Sequence, residues 1–420
     1  MSGNVWVGTF YLLNFNMRYL LIILTFNIIL TFELITIPEM AFPLSINNDA
    51  SIVVGTNFAS QAVIWSELEG VNIIGDGEFW GISDDGKVGG SLFNDAGKEE
   101  AVIWNNGTIS FLGNIPNGNS CDSFYSSGLD ISSDGSTVVG MGWKNCSVEA
   151  FYWNSQNDIV SLGSFNGNNT KAQAVNSDGL VIGGWAENNS GTRQSCIWDI
   201  NGNATLIGSL SPWSNAGEVT AFSEDGSKIV GFGASVAGND MEAYLAIEDP
   251  NTIGGYSMIG LGVPSNFATF NQSWAFDISE NNVVVGQYLY SGTNNWRASI
   301  WNEDLGTMID FKDYLELLGV NQIPNLTFLK AHSISNDGTI IAGTAQESNG
   351  NWTGFIINLE EELMGQIIGD LNNDGLFNIQ DIIMMVGYIL NDEYTLYADL
   401  NNDMIINIQD VIFLINLILE

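Results

Sequence analysis

Oxygen-bearing residues recur at a fixed spacing near the C-terminus, first in the segment GDLNNDGLFNIQD (369–381). Counted from Asp370 as position 1, oxygen donors fall at positions 1, 3, 5, 7, 9 and 12, a spacing that suits a hard cation such as calcium. The donors are Asp370, Asn372, Asp374, the Leu376 carbonyl, Asn378 and Asp381. Gly375, at position 6, permits the sharp turn that such a loop needs. The segment therefore predicts a calcium site.

The same segment returns 29 residues later as ADLNNDMIINIQD (398–410). The matching donors are Asp399, Asn401, Asp403, the Ile405 carbonyl, Asn407 and Asp410. Met404 stands where the EF-hand-type pattern has glycine, so we expect a weaker second site, because a non-glycine residue is strained at positive φ. Two accidental turns rich in Asn and Asp are the alternative, which requires five side-chain ligands to coincide twice.

An apolar, helix-like run follows each loop, IIMMVGYIL and then VIFLINLIL, and no equivalent helix precedes either loop. This duplicated loop-then-helix unit resembles a type I dockerin across residues 369–420. The resemblance implies that two calcium ions fold the module and that its helices bind a cohesin domain of a scaffold or cell-surface protein. It also implies partner contacts at the two positions before each last ligand. These are Ile379, Gln380, Ile408 and Gln409, the same pair in both halves, which is consistent with docking in two orientations.

The preceding part of the chain is a different repeat, in which an apolar strand, an Asp-Gly turn or its variant, and a Val/Ile strand recur seven times. The matching apolar positions are Ile46, Ile82, Ile131, Val175, Phe222, Ile278 and Ile334. Their separations of 36 to 56 residues fit propeller blades, and Asp-Gly between such runs predicts hairpins. Third and fourth strands, such as EAFYW and DIVSLG, follow in the copies. We therefore predict an all-β, seven-bladed β-propeller, with a solenoid as the alternative.

The seventh copy lacks a fourth strand, because the chain runs from FIINL (355–359) into EEELMGQ. Residues 34–37 precede the first copy and have no role in it. Since an open sheet edge is a liability, we expect this N-terminal strand to complete the last blade. The segment EAFYWNSQNDIVSLGSFNG resembles the HAF extracellular repeat, with Glu149 where that family usually has His, and the resemblance covers residues 41–359.

Composition favours export and disfavours nucleic acid. The formal net charge is −38, from 48 acidic and 10 basic residues, which repels phosphate backbones and anionic lipids. Met17-Arg18 precedes an apolar run (19–32) of signal-peptide length, so residues 1–31 are interpreted as a signal peptide with an upstream extension. An uncleaved anchor over residues 4–32 is the alternative. The predicted domains are a propeller (32–359), a linker (360–368) and the dockerin-like module (369–420), secreted or attached to a cell surface.

Other candidate residues have structural readings as well as functional ones. Cys121 and Cys146 lie in connections at the same end of a blade, where an oxidising compartment would allow a disulfide, whereas Cys196 is expected as a buried thiol. His332, the only histidine, is expected in the core, and most Asp residues are assigned to turns. A recurrent Trp column is expected to pack in the core: Trp65, Trp104, Trp153, Trp198 and Trp301. Loop tryptophans are the better ligand candidates: Trp143, Trp185, Trp213, Trp274, Trp296 and Trp352.

No catalytic residue follows from these patterns. The favoured function is a secreted, calcium-dependent binding or structural protein that a cohesin anchors, with glycan as a candidate ligand. The alternative is a carbohydrate-active enzyme, a polysaccharide hydrolase or lyase of a cellulosome-like complex. Two carboxylates that break the repeat symmetry in a central channel would favour the enzyme.

Overall fold

The computed structural model describes residues 33–116, 126–144, 147–235, 241–252, 254–264, 272–290, 295–318, 320, 325–359, 369–372, 377–391, 395–401 and 405–419. The expected signal peptide (1–31) and linker (360–368) lie outside these ranges. Within them, no helix has both the length and the apolar character that a membrane crossing requires.

The strands of residues 33–358 form antiparallel units of four strands, which we number as blades in chain order. A first strand, β1 (Glu33–Ile37), precedes them. Blade 1 holds β2 (Phe42–Ile46), β3 (Ile52–Thr56), β4 (Gln61–Ser66) and the first half of β5 (Gly70–Ile82). Blade 2 holds the second half of β5, β6 (Val88–Phe93), β7 (Glu99–Asn105) and β8 (Thr108–Phe111). Blade 3 holds β9 (Ser126–Ile131), β10 (Thr137–Lys144), β11 (Ser147–Asn154) and β12 (Asn157–Gly163).

Blade 4 holds β13 (Thr170–Val175), β14 (Val181–Glu187), β15 (Arg193–Asp199) and β16 (Ala204–Leu206). Blade 5 holds β17 (Gly217–Phe222), β18 (Lys228–Ala234), β19 (Met241–Glu248) and β20 (Tyr256–Gly260). Blade 6 holds β21 (Ser273–Ile278), β22 (Val284–Tyr290), β23 (Asn295–Trp301) and β24 (Ile309–Asp310). Blade 7 holds β25 (Leu326–Ile334), β26 (Ile340–Glu347), β27 (Trp352–Asn358) and β1.

The blades close into a ring, because the first strand of each blade contacts the first strand of the next and β25 contacts β2. This arrangement is a β-propeller, and the seven first strands surround its axis. The last blade is completed by the N-terminal strand, since β1 pairs antiparallel with β27, with Leu34 opposite Ile357 and Ile37 opposite Gly354. This is the strand that the sequence predicted at that place.

The recurrent glycine of the second strand has a steric cause. In blade 3 the pairing of β9 with β10 shifts register between Val139 and Gly140. A Cβ on Gly140 would lie 2.0 Å from the Ser127 carbonyl oxygen, too close for any side chain. The same shift recurs between the first two strands of the other blades, so the repeat requires a glycine there.

The core lies between neighbouring blades. Trp65, Trp198 and Trp301 of the recurrent column are buried, and Trp104 and Trp153 are half-buried against the same kind of cluster. The prediction that this column packs in the core is confirmed. Cys196 is also buried, as expected, and burial raises the pKa of its thiol to about 12.

One helix interrupts the pattern of strands in blade 6. The sequence suggested a fourth strand over residues 306–311, but β24 has only two residues and gives way to α1 (Phe311–Leu317). Asp310 caps this helix, and its side chain accepts a hydrogen bond from the Lys312 amide at 2.8 Å. The apolar side of α1 enters the cluster between blades 6 and 7, which explains why a helix replaces the strand.

The C-terminal residues form a small helical unit with α2 (Ile379–Asn391), a short 3-10 turn (Leu396–Ala398) and α3 (Ile408–Leu419). Its buried centre joins Leu371, Met385, Ala398, Val411 and Leu414. Tyr397 packs against the cluster between blades 6 and 7, so this unit contacts the propeller. Burial, with a smaller contribution from Asp304, raises the pKa of Tyr397 to about 12.

Candidate functional site

The first acidic loop is organised around Asp381, the first-turn residue of α2 that the sequence placed at position 12. One carboxylate oxygen accepts from the amides of Leu371 at 2.8 Å and Asn372 at 3.2 Å, and the other accepts from Asn378 at 2.9 Å. Asp381 is fully buried, and Asp370 is 1% exposed. The two ends of the loop are therefore joined through one carboxylate.

The second loop repeats this arrangement around Asp410 of α3. Its carboxylate accepts from the amides of Leu400 at 3.0 Å, Asn401 at 3.3 Å and Asn407 at 2.8 Å. Asp399 is 1% exposed, like its counterpart Asp370. The sequence duplication is thus matched by the same amide-to-carboxylate hydrogen bonds in the described part of each loop.

Some predicted ligands cannot be placed, because Asp374, Leu376 and Asp403 lie outside the described residues. Within those residues, no three His, Cys, Asp or Glu side chains are grouped as a metal site. Ile405 is 60% exposed, and its carbonyl accepts from the Asn407 side chain at 3.2 Å. The described part of each loop therefore supplies two buried carboxylates and two asparagines.

The chemistry of these donors fits calcium. Four buried carboxylates occur in a module that contains no Lys, Arg or His between residues 360 and 420. A buried carboxylate needs hydrogen-bond donors or a positive charge, and amides supply donors to Asp381 and Asp410. A bound calcium ion in each loop would supply the charge. Its ligands would come from the predicted donors between Asp370 and Asp381 in the first loop and between Asp399 and Asp410 in the second.

The predicted partner residues lie at the starts of the two helices. Ile379 is 65% exposed and Ile408 is 66% exposed. Gln380 and Gln409 are exposed too, and each accepts a hydrogen bond from a loop asparagine, at 3.0 and 3.1 Å. The two faces are nearly equivalent in exposure and bonding. They continue into further exposed apolar side chains: Ile383, Met384, Val386, Leu390, Ile412, Phe413, Ile415 and Leu417.

A channel of about 590 Å³ runs along the axis of the ring and is lined by residues from the first strand of all seven blades. We call the end where these strands begin the start face, and the end with the Asp-Gly turns the turn face. At the turn face, Glu224 of blade 5 accepts from Ser133 of blade 3 at 2.9 Å and from Ser177 of blade 4 at 2.5 Å.

Aromatic side chains form a continuous strip along one side of the channel. Trp274 stacks on Phe232, with ring centroids 4.8 Å apart, and contacts Trp296 at 4.8 Å. Phe276 lies next along the strip and stacks on His332 at 5.6 Å. Of the tryptophans that the sequence nominated as ligand candidates, Trp274 lines the channel and Trp296 packs against it. Trp213 is 85% exposed and Trp185 is buried.

His332 faces this channel, which corrects the expectation that it belongs to the core. Its ring is half-buried and lies 3.5 Å from the Thr344 hydroxyl. Burial, with a smaller effect of Lys330, lowers its pKa to about 3, so the imidazole is neutral at physiological pH. Alternation along a propeller's first strand points side chains towards the axis, and here the axis is a channel.

Charged side chains share the start face with the aromatic strip. Burial lowers the pKa of Lys171 and of Lys330, and burial followed by the charge of Glu99 raises the pKa of Glu78. Glu218 binds Arg193 at 2.8 Å.

Lys171 and Lys330 were not among the functional residues predicted from the sequence. The available signal was two lysines at the same place in two repeats of a chain with few basic residues.

Asp130 and Asp277 lie deeper in the channel and join neighbouring blades. Asp130 accepts from the Val175 amide of the next blade at 2.9 Å, and Asp277 accepts from the Ile334 amide at 2.9 Å. Burial raises the pKa of Asp130 to about 7 and that of Asp277 to about 6. Both bonds join neighbouring blades, so each of these carboxylates has a structural role.

The recurrent glutamates before the third strands are structural as well. Glu100 accepts from the Gly113 amide at 2.8 Å, Glu242 accepts from the Gly262 amide at 3.0 Å, and Glu149 accepts from the Ser161 hydroxyl at 2.6 Å.

The assignment of the Asp residues to turns is confirmed, for example where Asp85 accepts from the Ser83 hydroxyl at 2.6 Å. Cys121 and Cys146 lie outside the described residues, so their disulfide stays a prediction.

Some solved structures are similar to this chain, at low sequence identity. No family model matches the sequence, and no curated protein matches it. Similar solved structures include TolB from Acinetobacter baumannii, with 12% identity and a TM-score of 0.41 over 74% of this chain and 65% of TolB. These structural neighbours are β-propellers. The chain spans less than two thirds of TolB's length.

Two further neighbours span more of their own length. The propeller domain of the Trilobed protease from Pyrococcus furiosus is 11% identical, with a TM-score of 0.45 over 76% of this chain and 94% of that domain. Oligogalacturonate lyase from Vibrio parahaemolyticus is 12% identical, with a TM-score of 0.48 over 80% of this chain and 98% of the lyase.

Proposed function

We propose that this chain is a secreted, calcium-dependent binding protein, built as a seven-bladed propeller with an attached module of the dockerin type. The propeller presents its channel to a ligand, and the C-terminal module binds a cohesin domain on a scaffold or cell surface. The observation that carries this proposal is the matched pair of loops, each closed by amides on one buried carboxylate. Secretion rests on the apolar segment 19–32.

Two features support attachment to another protein. The starts of α2 and α3 expose isoleucines and glutamines in equivalent surroundings, and both helices expose further apolar side chains. Exposed apolar surface of this kind marks interaction sites, because water contact with it is unfavourable. The equivalence of the two halves suits a partner that binds in either of two orientations.

Calcium binding is tested on the full chain by titration calorimetry. We expect two sites, one lost in Asp381→Asn and the other in Asp410→Asn, because each change removes a charged ligand from one loop. The matched control Asp178→Asn, at an exposed turn of blade 4, should retain both sites. Two unchanged sites in Asp381→Asn would show that the loop does not bind calcium.

Partner binding is tested by surface plasmon resonance against a panel of type I and type II cohesin domains, with calcium and with EGTA. If docking occurs in two orientations, Ile379→Gln and Ile408→Gln should each retain binding and the double variant should lose it. Leu68→Gln, at a position 94% exposed in blade 1, is the control. Absence of calcium-dependent binding to every cohesin would contradict the anchoring role.

A carbohydrate-active enzyme is the second candidate, and one observation favours it. Glu78 and Glu218 occupy the same position of the repeat in blades 2 and 5, and both line the channel. The other blades have a residue other than Glu at this position. A raised pKa of Glu78 suits a general acid. Release of reducing ends or unsaturated products from polysaccharides, lost in Glu78→Gln, would establish the enzyme, whereas the binding role predicts no turnover.

A further inference from the structure

We propose that the start face of the channel binds a saccharide that carries a carboxylate, with Lys330 on the carboxylate and Trp80 against the sugar ring. The inference rests on the proposed binding role of the propeller and names the chemical class of its ligand. It is independent of calcium and of cohesin.

The repeat departs from its own pattern at one ring of positions, four residues before the matching apolar column. The ring comprises Phe42, Glu78, Ser127, Lys171, Glu218, Trp274 and Lys330, and all of these except Ser127 line the channel. The matching apolar positions four residues later stay uniform, because packing between blades fixes them. Freedom from packing leaves this ring open to selection by a ligand.

Lys330 is the group in this ring that calls for an anion. It is half-buried, and burial lowers its pKa. In the described part of the chain, it has no ion pair and no carboxylate close enough to offset that cost, although the chain has 48 acidic residues against 10 basic ones. A half-buried ammonium with no acidic neighbour lacks the stabilisation that an ion pair gives, and a ligand carboxylate would supply that pairing.

Lys171 differs from Lys330 because it has an acidic neighbour. The charge of Glu218 favours its protonated form, and Glu218 also accepts from Arg193 at 2.8 Å and from Gln173 at 3.3 Å. Lys171 therefore has a carboxylate beside it within the protein, which it shares with Arg193. Lys330 is the lysine of this ring that a ligand carboxylate would supply with a counter-charge.

The aromatic side chains of the channel wall suit a ring with an apolar face. Trp274, in blade 6, is held between Phe232 and Trp296, so its orientation is fixed. Its indole N–H is buried without a hydrogen-bond partner in the structure. Trp80, in blade 2, is half-buried in the channel wall and bonds with Glu78. Rigid aromatic faces with a few polar groups are typical of small-molecule sites.

The charge distribution selects a carboxylated sugar over a phosphorylated ligand. A phosphate carries about two negative charges near neutral pH, which Glu78, Glu218 and a net charge of −38 would repel. A ligand with one carboxylate carries one negative charge, which matches the one positive charge of Lys330. The carboxylates of Glu78 and Glu218 and the Thr220 hydroxyl then face the ligand as hydrogen-bond acceptors for sugar hydroxyls.

The test uses the full chain and pairs of ligands in which a charged carboxylate is replaced by its uncharged methyl ester. The probes are the methyl glycosides of glucuronate, galacturonate and mannuronate, each beside its uncharged methyl ester, followed by tryptophan fluorescence and titration calorimetry. We expect at least one acid to bind at least about tenfold more tightly than its ester, the usual effect of a hydrogen bond to a charged group. Lys330→Met should remove this difference, and Lys312→Met on α1, half-exposed, should keep it.

The outcomes separate the two proposals. Equal binding of acid and ester by the wild-type chain overturns the inference and leaves a channel that binds neutral sugars. Binding of no probe overturns the inference, and the calcium and cohesin tests then decide the proposed function separately. The comparison of acid with ester needs no variant, so it decides the inference even if the Lys330→Met chain misfolds. Lys330→Arg should preserve the preference for the acid.

Discussion

At the scale of single residues, carboxylates in this protein fall into groups according to the donors from which they accept hydrogen bonds. Turn residues such as Asp225 accept from nearby hydroxyls, and the pKa of Asp225 falls to about 2, with the Ser223 bond as the largest cause. Asp130 and Asp277 accept from amides of the next blade, and burial outweighs those bonds and raises their pKa values. The residue type is the same, but the surroundings invert the shift.

Asp130 should make the free energy of unfolding depend on pH. Its pKa is about 7 in the folded protein against 3.8 as the ordinary value, so the folded chain binds the proton more tightly between these two values. The contribution to stability is full below pH 3.8 and is lost as pH rises towards 7, at up to about 1.4 kcal/mol per pH unit. Asp130→Asn should remove this contribution, so that stability falls less steeply with pH, while Asp277 keeps its own contribution below pH 6.

Chemical denaturation of both chains between pH 4 and pH 8 measures the effect, and the range spans the interval over which the contribution is lost. Asp178→Asn, at an exposed turn, should keep the wild-type slope. Parallel pH profiles for the wild-type and Asp130→Asn chains would show that the carboxylate stays ionised in the fold.

At the scale of secondary structure, the N-terminal strand decides whether the ring is closed. β1 covers the edge of β27, and its buried side enters the cluster between blades 7 and 1 through Ile37, which is 1% exposed. The neighbouring Thr36 on the same strand is exposed. Alternation thus places adjacent residues of this strand on opposite sides, with Ile37 buried and Thr36 exposed.

Ile37→Asp should destabilise the propeller by about 3 kcal/mol or more, because it buries a charge without a partner and removes an apolar contact. Thr36→Asp, one residue away with its side chain in solvent, should change stability by less than about 0.5 kcal/mol. Thermal unfolding of the two variants makes the comparison. Equal melting temperatures would mean that β1 does not contribute to the closed ring.

At the scale of the whole molecule, the propeller and the C-terminal unit are built from repeats of different length, and the aromatic side chain of Tyr397 contacts both. The C-terminal unit has its own apolar centre, and Tyr397 joins it to the cluster between blades 6 and 7. The Gly369 amide donates to the Tyr397 carbonyl at 2.8 Å, so the first loop is tied to the residue that makes this contact. Loss of the loop should therefore loosen the contact as well.

Removal of calcium should unfold the C-terminal unit and spare the propeller, because ion binding contributes about 2.7 kcal/mol of stability at a hundredfold excess over Kd. Hydrogen exchange with and without EGTA measures this. The amides of Leu371, Asn378, Leu400 and Asn407, which bond to Asp381 and Asp410, should lose protection. Strand amides of blades 1 to 5 should be unchanged, and equal loss there would contradict independent calcium-coupled folding.

The sequence determined most of the architecture, because the repeated strand and turn patterns are local. Hairpins at Asp-Gly, a glycine after the Val/Ile strand and an unpaired N-terminal strand could all be read from one copy or from a count of copies. The paired acidic loops were equally visible, since their donor spacing is contained within short segments.

Only the tertiary structure decided what surrounds the axis. Lys330 lies more than 50 residues from Trp274 and Phe276 in the sequence, and ring closure brings all three to one channel. Ring closure also placed His332 in that channel, because a strand's inward face looks to the axis and not to the sheet-on-sheet core. The burial that shifts the pKa values of Asp130 and Lys330 comes from neighbouring blades, which no single repeat contains.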